Sequence, residues 1–189
     1  MAKQFPSIDD RQRAFIERQH VFFVASAAEG ARVNLSPKGL DALRVLDPST
    51  VVYLDRTGSG NETAAHLLAD GRLTIMFCAF EGPPLILRLY GKGRVLARGG
   101  AEYAALLAER FGGEEPVGAR QMVMLAVDLV QTSCGFGVPH YDYAGERPSL
   151  VNWAVQKGEG ELVAYRHEKN ERSMDGLPTG LVEPASQPG

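Results

Sequence analysis

The stretch between residues 51 and 71 constrains the fold most, because a strand, a glycine loop and a helix follow one another there without a break. The run Val-Val-Tyr-Leu at 51–54 is β-branched and aromatic, as buried strands are. The loop at 57–63 reads Thr-Gly-Ser-Gly-Asn-Glu-Thr, and a helical pattern follows it. Ser59 and Glu62 have the spacing of a capping box, which predicts that the helix begins here. Its free N–H groups would then converge on a point that suits a phosphate.

This loop taken alone leaves two interpretations open, an ordinary capped helix and a phosphate site. Two known nucleotide-binding loops are excluded by the residues present. A Walker loop ends in Gly-Lys-Ser/Thr, whereas the last glycine of this loop is followed by Asn61 and Glu62. A dinucleotide-binding fingerprint requires a third glycine, and Thr63 occupies that place.

Composition narrows the classes of protein to consider. A chain of 189 residues with net charge −3 lacks the basic surplus of a nucleic-acid-binding surface, and it holds no apolar run of membrane-spanning length. Its two cysteines and four histidines show no metal-ligand spacing, so we predict no metal site and a cytoplasmic location. We expect one domain over residues 1–178, with helices at its C-terminal end, and a flexible tail over 179–189.

Strand patterns dominate the rest of the chain. Six segments are predicted as strands: 21–25, 32–38, 51–54, 73–80, 85–98 and 121–130. In the long fifth segment Gly91 and Gly93 share one face, which predicts a bend or a bulge. Short links and only a few helices favour a small closed sheet over a doubly wound one. We therefore predict a mainly β fold with peripheral helices (α+β).

The segment at 32–38 alternates cleanly between two faces. One face carries Arg32, Asn34, Ser36 and Lys38, and the other carries apolar residues. Such alternation usually means a sheet face turned towards water. The alternative is a polar face that lines a ligand site.

Five motifs together resemble a known family: 33–39 (VNLSPKG), 55–63 (DRTGSGNET), 78–84 (CAFEGPP), 88–91 (RLYG) and 133–139 (SCGFGVP). In this order they resemble the flavin-binding split-barrel proteins related to pyridoxamine 5′-phosphate oxidase. The resemblance covers about residues 15–178. It implies a six-stranded split β-barrel that forms a homodimer with FMN at the interface.

The resemblance also implies which residues bind the cofactor. The strand at 32–38 would lie along the flavin, the loop at 55–63 would receive its phosphate, and residues of the long strand and the C-terminal helix would complete the pocket. The implied FMN-binding residues are Arg32, Asn34, Leu35, Ser36, Lys38, Asp55, Ser59, Gly60, Asn61, Thr63, Arg88 and Trp153.

One departure from the family pattern bears on the reaction. True pyridoxamine 5′-phosphate oxidases resemble one another in a C-terminal Trp…Arg-Leu-x-Pro ending, but in this chain Gly176 precedes Leu177 and Pro178. The hypothesis is therefore an FMN-binding oxidoreductase of unknown substrate, without pyridoxamine-phosphate oxidase activity. No residue stands out as an acid–base catalyst. The alternative is a non-catalytic protein that binds or senses flavin, deazaflavin or a tetrapyrrole.

Overall fold

The computed structural model describes residues 2–183, which form eight strands and four helices. The strands are β1 (Lys3–Phe5), β2 (Phe22–Ser26), β3 (Asn34–Lys38), β4 (Leu43–Asp47), β5 (Thr50–Arg56), β6 (Arg72–Cys78), β7 (Ile86–Ala97) and β8 (Ala119–Ser133). The helices are α1 (Asp10–Glu17), α2 (Glu62–Ala69), α3 (Ala101–Arg110) and α4 (Ser149–Asn170). None of these helices is long and apolar enough to cross a membrane.

All strand pairs are antiparallel, and the strands lie in the order β3-β2-β6-β7-β8-β5-β4, with β1 added on β8. The mainly β class with peripheral helices is confirmed, and each of the six predicted strands is present. The sequence did not indicate β1 and β4. The first has only three residues, and the second carries a bulge between Val45 and Asp47 that breaks its alternation.

The sheet curls until its two ends face each other. Phe22 on β2 packs edge-on against Tyr53 on β5, with ring centroids 5.6 Å apart, and both belong to the main hydrophobic core. On the open side, Lys38 of β3 reaches Asp55 of β5 across 2.6 Å. A side-chain ion pair thus bridges the gap between strands that share no backbone ladder, as expected of a split barrel.

The predicted bend in the long strand is a β-bulge in β7. The register against β8 shifts between Tyr90 and Gly91. A Cβ atom at Gly91 would lie 1.9 Å from the carbonyl oxygen of Ala126, so no larger residue fits there. The bulge is therefore built on a glycine that allows two backbones to approach closely.

Helix α2 begins at Glu62, but the predicted capping box is wrong. Asn61 is the N-cap residue, and its side chain caps no backbone N–H. The carboxylate of Glu62 instead accepts the backbone N–H of Met174, at 3.0 Å. The C-terminal segment has therefore recruited the acid that the sequence pattern assigned to the cap.

Helix α4 and the residues after it pack against the glycine loop. The helix is interrupted at Gly158, which has φ 68°. Beyond it, Thr179 is buried and donates to the carbonyl of Asn170 at 2.7 Å, while Arg166 donates to Glu183 at 2.5 Å. Residues 179–183 were expected to begin a flexible tail, and here they lie against α4; residues 184–189 fall outside the described chain.

Candidate functional site

A polar cleft of about 490 Å³ opens where β3 faces the end of β5 and the start of α2. It is lined by Asn34, Ser36, Pro37, Lys38, Asp55, Arg56, Gly58, Ser59, Gly60, Asn61, Glu62, Thr63 and Arg120. Eight of the twelve predicted FMN-binding residues are in this set. The glycine loop and the alternating strand, 20 residues apart in sequence, therefore form one concave surface.

The inner face of β3 is held by a chain of short polar side chains. Asn34 donates through Nδ2 to Ser26 at 3.3 Å and to Thr63 at 3.1 Å, and its Oδ1 accepts from Ser36 at 3.1 Å. Ser26 in turn lies 3.0 Å from Nδ1 of the buried His66. These contacts hold Asn34 and Ser36, two of the β3 side chains that face the cleft, in defined positions.

Asp55 is the charged centre of the cleft. Its buried carboxylate accepts from Lys38 and from Arg120, each at 2.6 Å, and from Gln121 at 3.0 Å. Burial alone would raise the pKa of this carboxyl, but the charges of Arg120 and Lys38 outweigh it and hold the pKa well below its ordinary value. Asp55 is therefore ionised throughout the physiological range.

The glycine loop is held from behind by its carbonyl groups. Arg120 donates to the carbonyl of Gly60 at 2.9 Å, and Asn170 donates to that of Gly58 at 3.0 Å. Arg120 also donates to Oδ1 of Asn170 at 2.7 Å. The N–H groups of Ser59 and Asn61 point away from these bound carbonyls, because the N–H and C=O of a peptide group lie on opposite sides. The N–H groups of residues 59–63 have no backbone acceptor within the described chain.

Arg120 and Asn170, which hold the loop, were not predicted from the sequence. A signal for Arg120 existed, because it stands with Gln121 directly before an apolar run at 122–127. Asn170 gave no local signal, since it lies 112 residues from the carbonyl of Gly58 that it binds. Only the tertiary fold brings α4 to the loop.

Two predicted residues on or beside β3 lie outside the cleft. Arg32 precedes the strand and forms an ion pair with Asp175 in the C-terminal segment. Leu35 points away from the cleft and is 64% exposed. The period-two geometry of a strand explains this, because Leu35 faces opposite to its neighbours Asn34 and Ser36.

The other two predicted residues outside the cleft are Arg88 and Trp153. Arg88 lies on β7 and donates to the hydroxyl of Ser133 at 3.3 Å. Trp153 lies on α4 and packs edge-on against Tyr165, with ring centroids 5.2 Å apart. The structure brings neither of them to the polar cleft.

Arg88 and Leu35 belong to one half-buried surface, which we call the outer face. Strand register places two rows of side chains on this side of the sheet. The rows are Pro37–Phe23–Met76–Arg88–Gln131 and Leu35–Ala25–Thr74–Tyr90–Leu129. Every member is at least partly exposed, so no described helix covers this face.

Comparisons with known proteins agree with this architecture. The sequence model of pyridoxamine 5′-phosphate oxidase matches residues 8–134. The pyridoxamine 5′-phosphate oxidase family protein ustO of Aspergillus flavus is 42% identical over an alignment 190 residues long, which spans 92% of this chain and 76% of that protein.

Two solved structures have the same fold. A HupZ variant from Group A Streptococcus has TM-score 0.55 and 22% identity, covering 67% of this chain and 99% of its own. A Lactobacillus delbrueckii protein of the pyridoxamine 5′-phosphate oxidase type has TM-score 0.51 and 17% identity, covering 67% and 94%. The chain therefore belongs to the pyridoxamine 5′-phosphate oxidase family.

Proposed function

We propose that the polar cleft binds FMN and that the protein is a flavin-dependent oxidoreductase. The observation that carries this proposal is the meeting of two donor sets on one cleft: the unpaired N–H groups of residues 59–63 and the polar side chains of β3. Free N–H groups at a helix N-terminus bind phosphate well, because the helix dipole adds to their hydrogen bonds.

The residues of the cleft fit a phosphorylated cofactor. Three cationic side chains, Lys38, Arg56 and Arg120, line the cleft with two acidic ones, Asp55 and Glu62, so its formal charge is positive. The buried Nε of Arg120 lacks an acceptor within the described chain. The volume of about 490 Å³ is within the range of small-molecule sites, roughly 300–1,000 Å³.

The glycine loop and strand β3 form the two walls of the polar cleft, and each would have its own role. The loop residues Ser59, Gly60 and Asn61 would hold the phosphate through their backbone. Asn34 and Ser36 would offer an amide and a hydroxyl to the polar edge of the flavin and its side chain. Bound FMN supplies hydride-transfer chemistry, and the protein supplies orientation and electrostatics.

A tetrapyrrole is the less favoured cofactor. Such a site requires an axial ligand, usually His, Cys or Met. None of the residues that line the polar cleft is of these types. A deazaflavin or a non-catalytic flavin store would use the same polar groups, so the absorption spectrum and the redox response of the purified protein must separate these possibilities.

Titration with FMN and riboflavin tests the proposal. Flavin fluorescence should be quenched on binding, and FMN should bind at least tenfold more tightly than riboflavin, because a charge-assisted phosphate contact contributes about 1.5–3 kcal/mol. The freshly purified protein should also show flavin absorption. Equal affinity for the two compounds would contradict a phosphate site in the glycine loop.

We further propose that pyridoxamine 5′-phosphate is not the substrate. Residues Ser173 to Pro178 form a tight turn in which Leu177 N–H binds Ser173, and Asp175 pairs with Arg32. Residues 173–178 contain no arginine, and the preceding Arg172 donates to the carbonyl of Gly176 at 2.9 Å. Turnover of pyridoxamine 5′-phosphate by the flavin-loaded protein at about one per second or faster would contradict this view.

We propose that the protein forms a homodimer through its outer face. Its rows mix Phe23, Met76, Leu35 and other apolar side chains with few charges, a composition typical of interfaces between protomers. A second copy of the chain would cover them by two-fold symmetry. Within the described chain both cysteines are free, which fits the cytoplasmic location that we also propose.

Sedimentation velocity at micromolar concentration tests the dimer. The parent protein should sediment as a dimer, and Leu35→Asp should shift it to monomer. Leu68→Asp is the matched control, because Leu68 is exposed to a similar extent, 61%, on helix α2. A parent protein that binds flavin as a monomer would overturn this proposal.

A further inference from the structure

A second cleft, the loop cleft, lies between the end of α1, the turn after β3 and the loop at 138–146. It has two lobes, of about 490 and 710 Å³, which share Glu17, Gln19, His20 and Tyr143 among their lining residues. Arg56 lines both the first lobe and the polar cleft. The two clefts are therefore neighbours, separated by one arginine.

Aromatic rings form the walls of the loop cleft. His20 and Tyr143 are stacked face to face, with ring centroids 3.5 Å apart and an interplanar angle of 3°. Phe80 and Tyr141 pack at 5.5 Å. The loop is fixed by its backbone, since Tyr141 N–H donates to the carbonyl of Phe80 at 3.0 Å. These contacts hold a surface segment in one place and keep the cavity open.

The turn after β3 adds a strained wall. Leu40 and Asp41 have φ of 60° and 50°, in the left-handed region that non-glycine residues rarely adopt. Both residues line the first lobe. A Cβ on the preceding Gly39 would lie 3.5 Å from the carboxylate of Glu146, so the loop packs closely on this turn. Backbone strain of this kind is concentrated at binding and active sites.

The loop cleft has an excess of negative charge. Five carboxylates line its lobes, against the two guanidinium groups of Arg18 and Arg56. Three of the acids, Glu81, Asp142 and Glu146, have no cationic partner within 4 Å in the described chain. An aromatic cavity with unpaired carboxylates attracts a cation with an apolar body, through both Coulomb and cation–π attraction.

We propose that the loop cleft binds a small molecule that carries a protonated amine on an aromatic or similarly planar body and no phosphate group. The carboxylates repel a phosphate dianion, and the rings accept the planar body. Because the loop cleft adjoins the polar cleft at Arg56, we assign this molecule as the substrate of the bound flavin. That last assignment, unlike the binding itself, rests on the proposed function.

Calorimetric titration of the flavin-free protein, with inorganic phosphate in excess to occupy the glycine loop of the polar cleft, tests the binding directly. Three probes are used: tyramine, its uncharged counterpart 4-ethylphenol, and pyridoxamine 5′-phosphate. Tyramine should bind at least tenfold more tightly than either of the others, and its affinity should fall as salt is added. Equal affinity for tyramine and 4-ethylphenol, tighter binding of pyridoxamine 5′-phosphate, or no binding of tyramine at millimolar concentration would overturn the proposal.

Isosteric variants locate the site. Glu146→Gln and Glu81→Gln should each weaken tyramine binding by about tenfold, as expected for loss of a charge-assisted contact. Glu109→Gln is the control, because Glu109 is an exposed acid on α3 that lines neither lobe. Unchanged affinity in both cleft variants would place the bound amine elsewhere and refute the assignment.

The two proposals fail separately. If tyramine binds as expected and FMN does not, the amine site stands and the flavoprotein assignment fails. If FMN binds and tyramine does not, the flavoprotein stands and the loop cleft is not its substrate site. With both bound, reduction of FMN by an excess of tyramine would connect the two sites: the amine would lose two electrons and two protons, from its C–H and N–H bonds, to become the imine, and FMN would take them up to become FMNH2.

Discussion

The polar cleft and the loop cleft are neighbours, but their central carboxylates differ: one is paired with cations of the protein and the other is not. In the polar cleft Asp55 meets two cations and an amide, and the carbonyls of the glycine loop are bound by Arg120 and Asn170. In the loop cleft the carboxylate of Glu146 meets no cation in the described chain. The first arrangement stabilises the fold before any ligand arrives. The second leaves the charge of Glu146 available to a ligand.

Of the substitutions that test this contrast, Asp55→Ala should have the largest effect on stability. The change leaves the buried guanidinium of Arg120 and the ammonium of Lys38 without their shared counter-charge. We expect a loss of about 3–5 kcal/mol in the free energy of unfolding, as for other broken buried ion pairs. Urea denaturation followed by circular dichroism measures it. A loss below about 1 kcal/mol would mean that solvent screens the group as on a surface.

Acid sensitivity follows from the same carboxylate. The pKa of Asp55 is lowered in the folded protein relative to its ordinary value of 3.8, so its ionised form stabilises the fold above about pH 4. That stabilisation is lost progressively as the pH falls further. The denaturation midpoint should therefore fall more steeply between about pH 5 and pH 2 in the parent than in Asp55→Asn. Parallel curves for the two proteins would count against this role.

Substitutions on the inner and the outer face of the sheet should differ in their effect on FMN binding. Lys38→Ala should weaken FMN binding by about ten- to a hundredfold, since Lys38 lines the polar cleft. Arg88→Ala was expected from the sequence to act in the same way. Because Arg88 lies on the outer face, we now expect it to act only where a second copy covers that face. FMN titration at protein concentrations above and below dimer dissociation distinguishes the two effects.

The smallest expected effect on the stability of the protein is that of a substitution in the loop cleft. Glu146→Gln removes a charge that forms no ion pair in the described chain, so the free energy of unfolding should change by less than about 0.5 kcal/mol. Thermal melting in parallel with Asp55→Ala provides the comparison. A loss comparable with that of Asp55→Ala would show that this acid, too, is structural.

Much of the fold could be predicted because it depends on local patterns. Apolar and alternating runs identified six strands, and two glycines on one face predicted the bulge that Gly91 forms. The inner face of β3 also followed from period two alone, which placed Asn34, Ser36 and Lys38 together. The cap of α2 was predicted wrongly, because Met174 competes for the carboxylate of Glu62 from 112 residues away.

The rest of the site was not predictable, since it depends on contacts between distant segments. Arg120 and Asn170 hold the glycine loop from β8 and α4; Arg120 stands out at the start of its strand, but no local spacing shows that either residue binds the loop. The loop cleft is similar in this respect. Its wall combines His20 near α1 with Tyr143 more than 120 positions later, and only the folded chain stacks these rings.

The position of Asn170 has a practical consequence for dissecting the protein. The family match ends at residue 134, yet the side chain that binds the Gly58 carbonyl, and the Arg166 guanidinium that donates to Thr57, both come from α4. A fragment that ends at residue 134 would keep all eight strands. It would lose the side chains of α4 that bind the glycine loop. Fragments, domain swaps and truncations of this chain should therefore keep the segment up to Glu183 as part of the same folding unit.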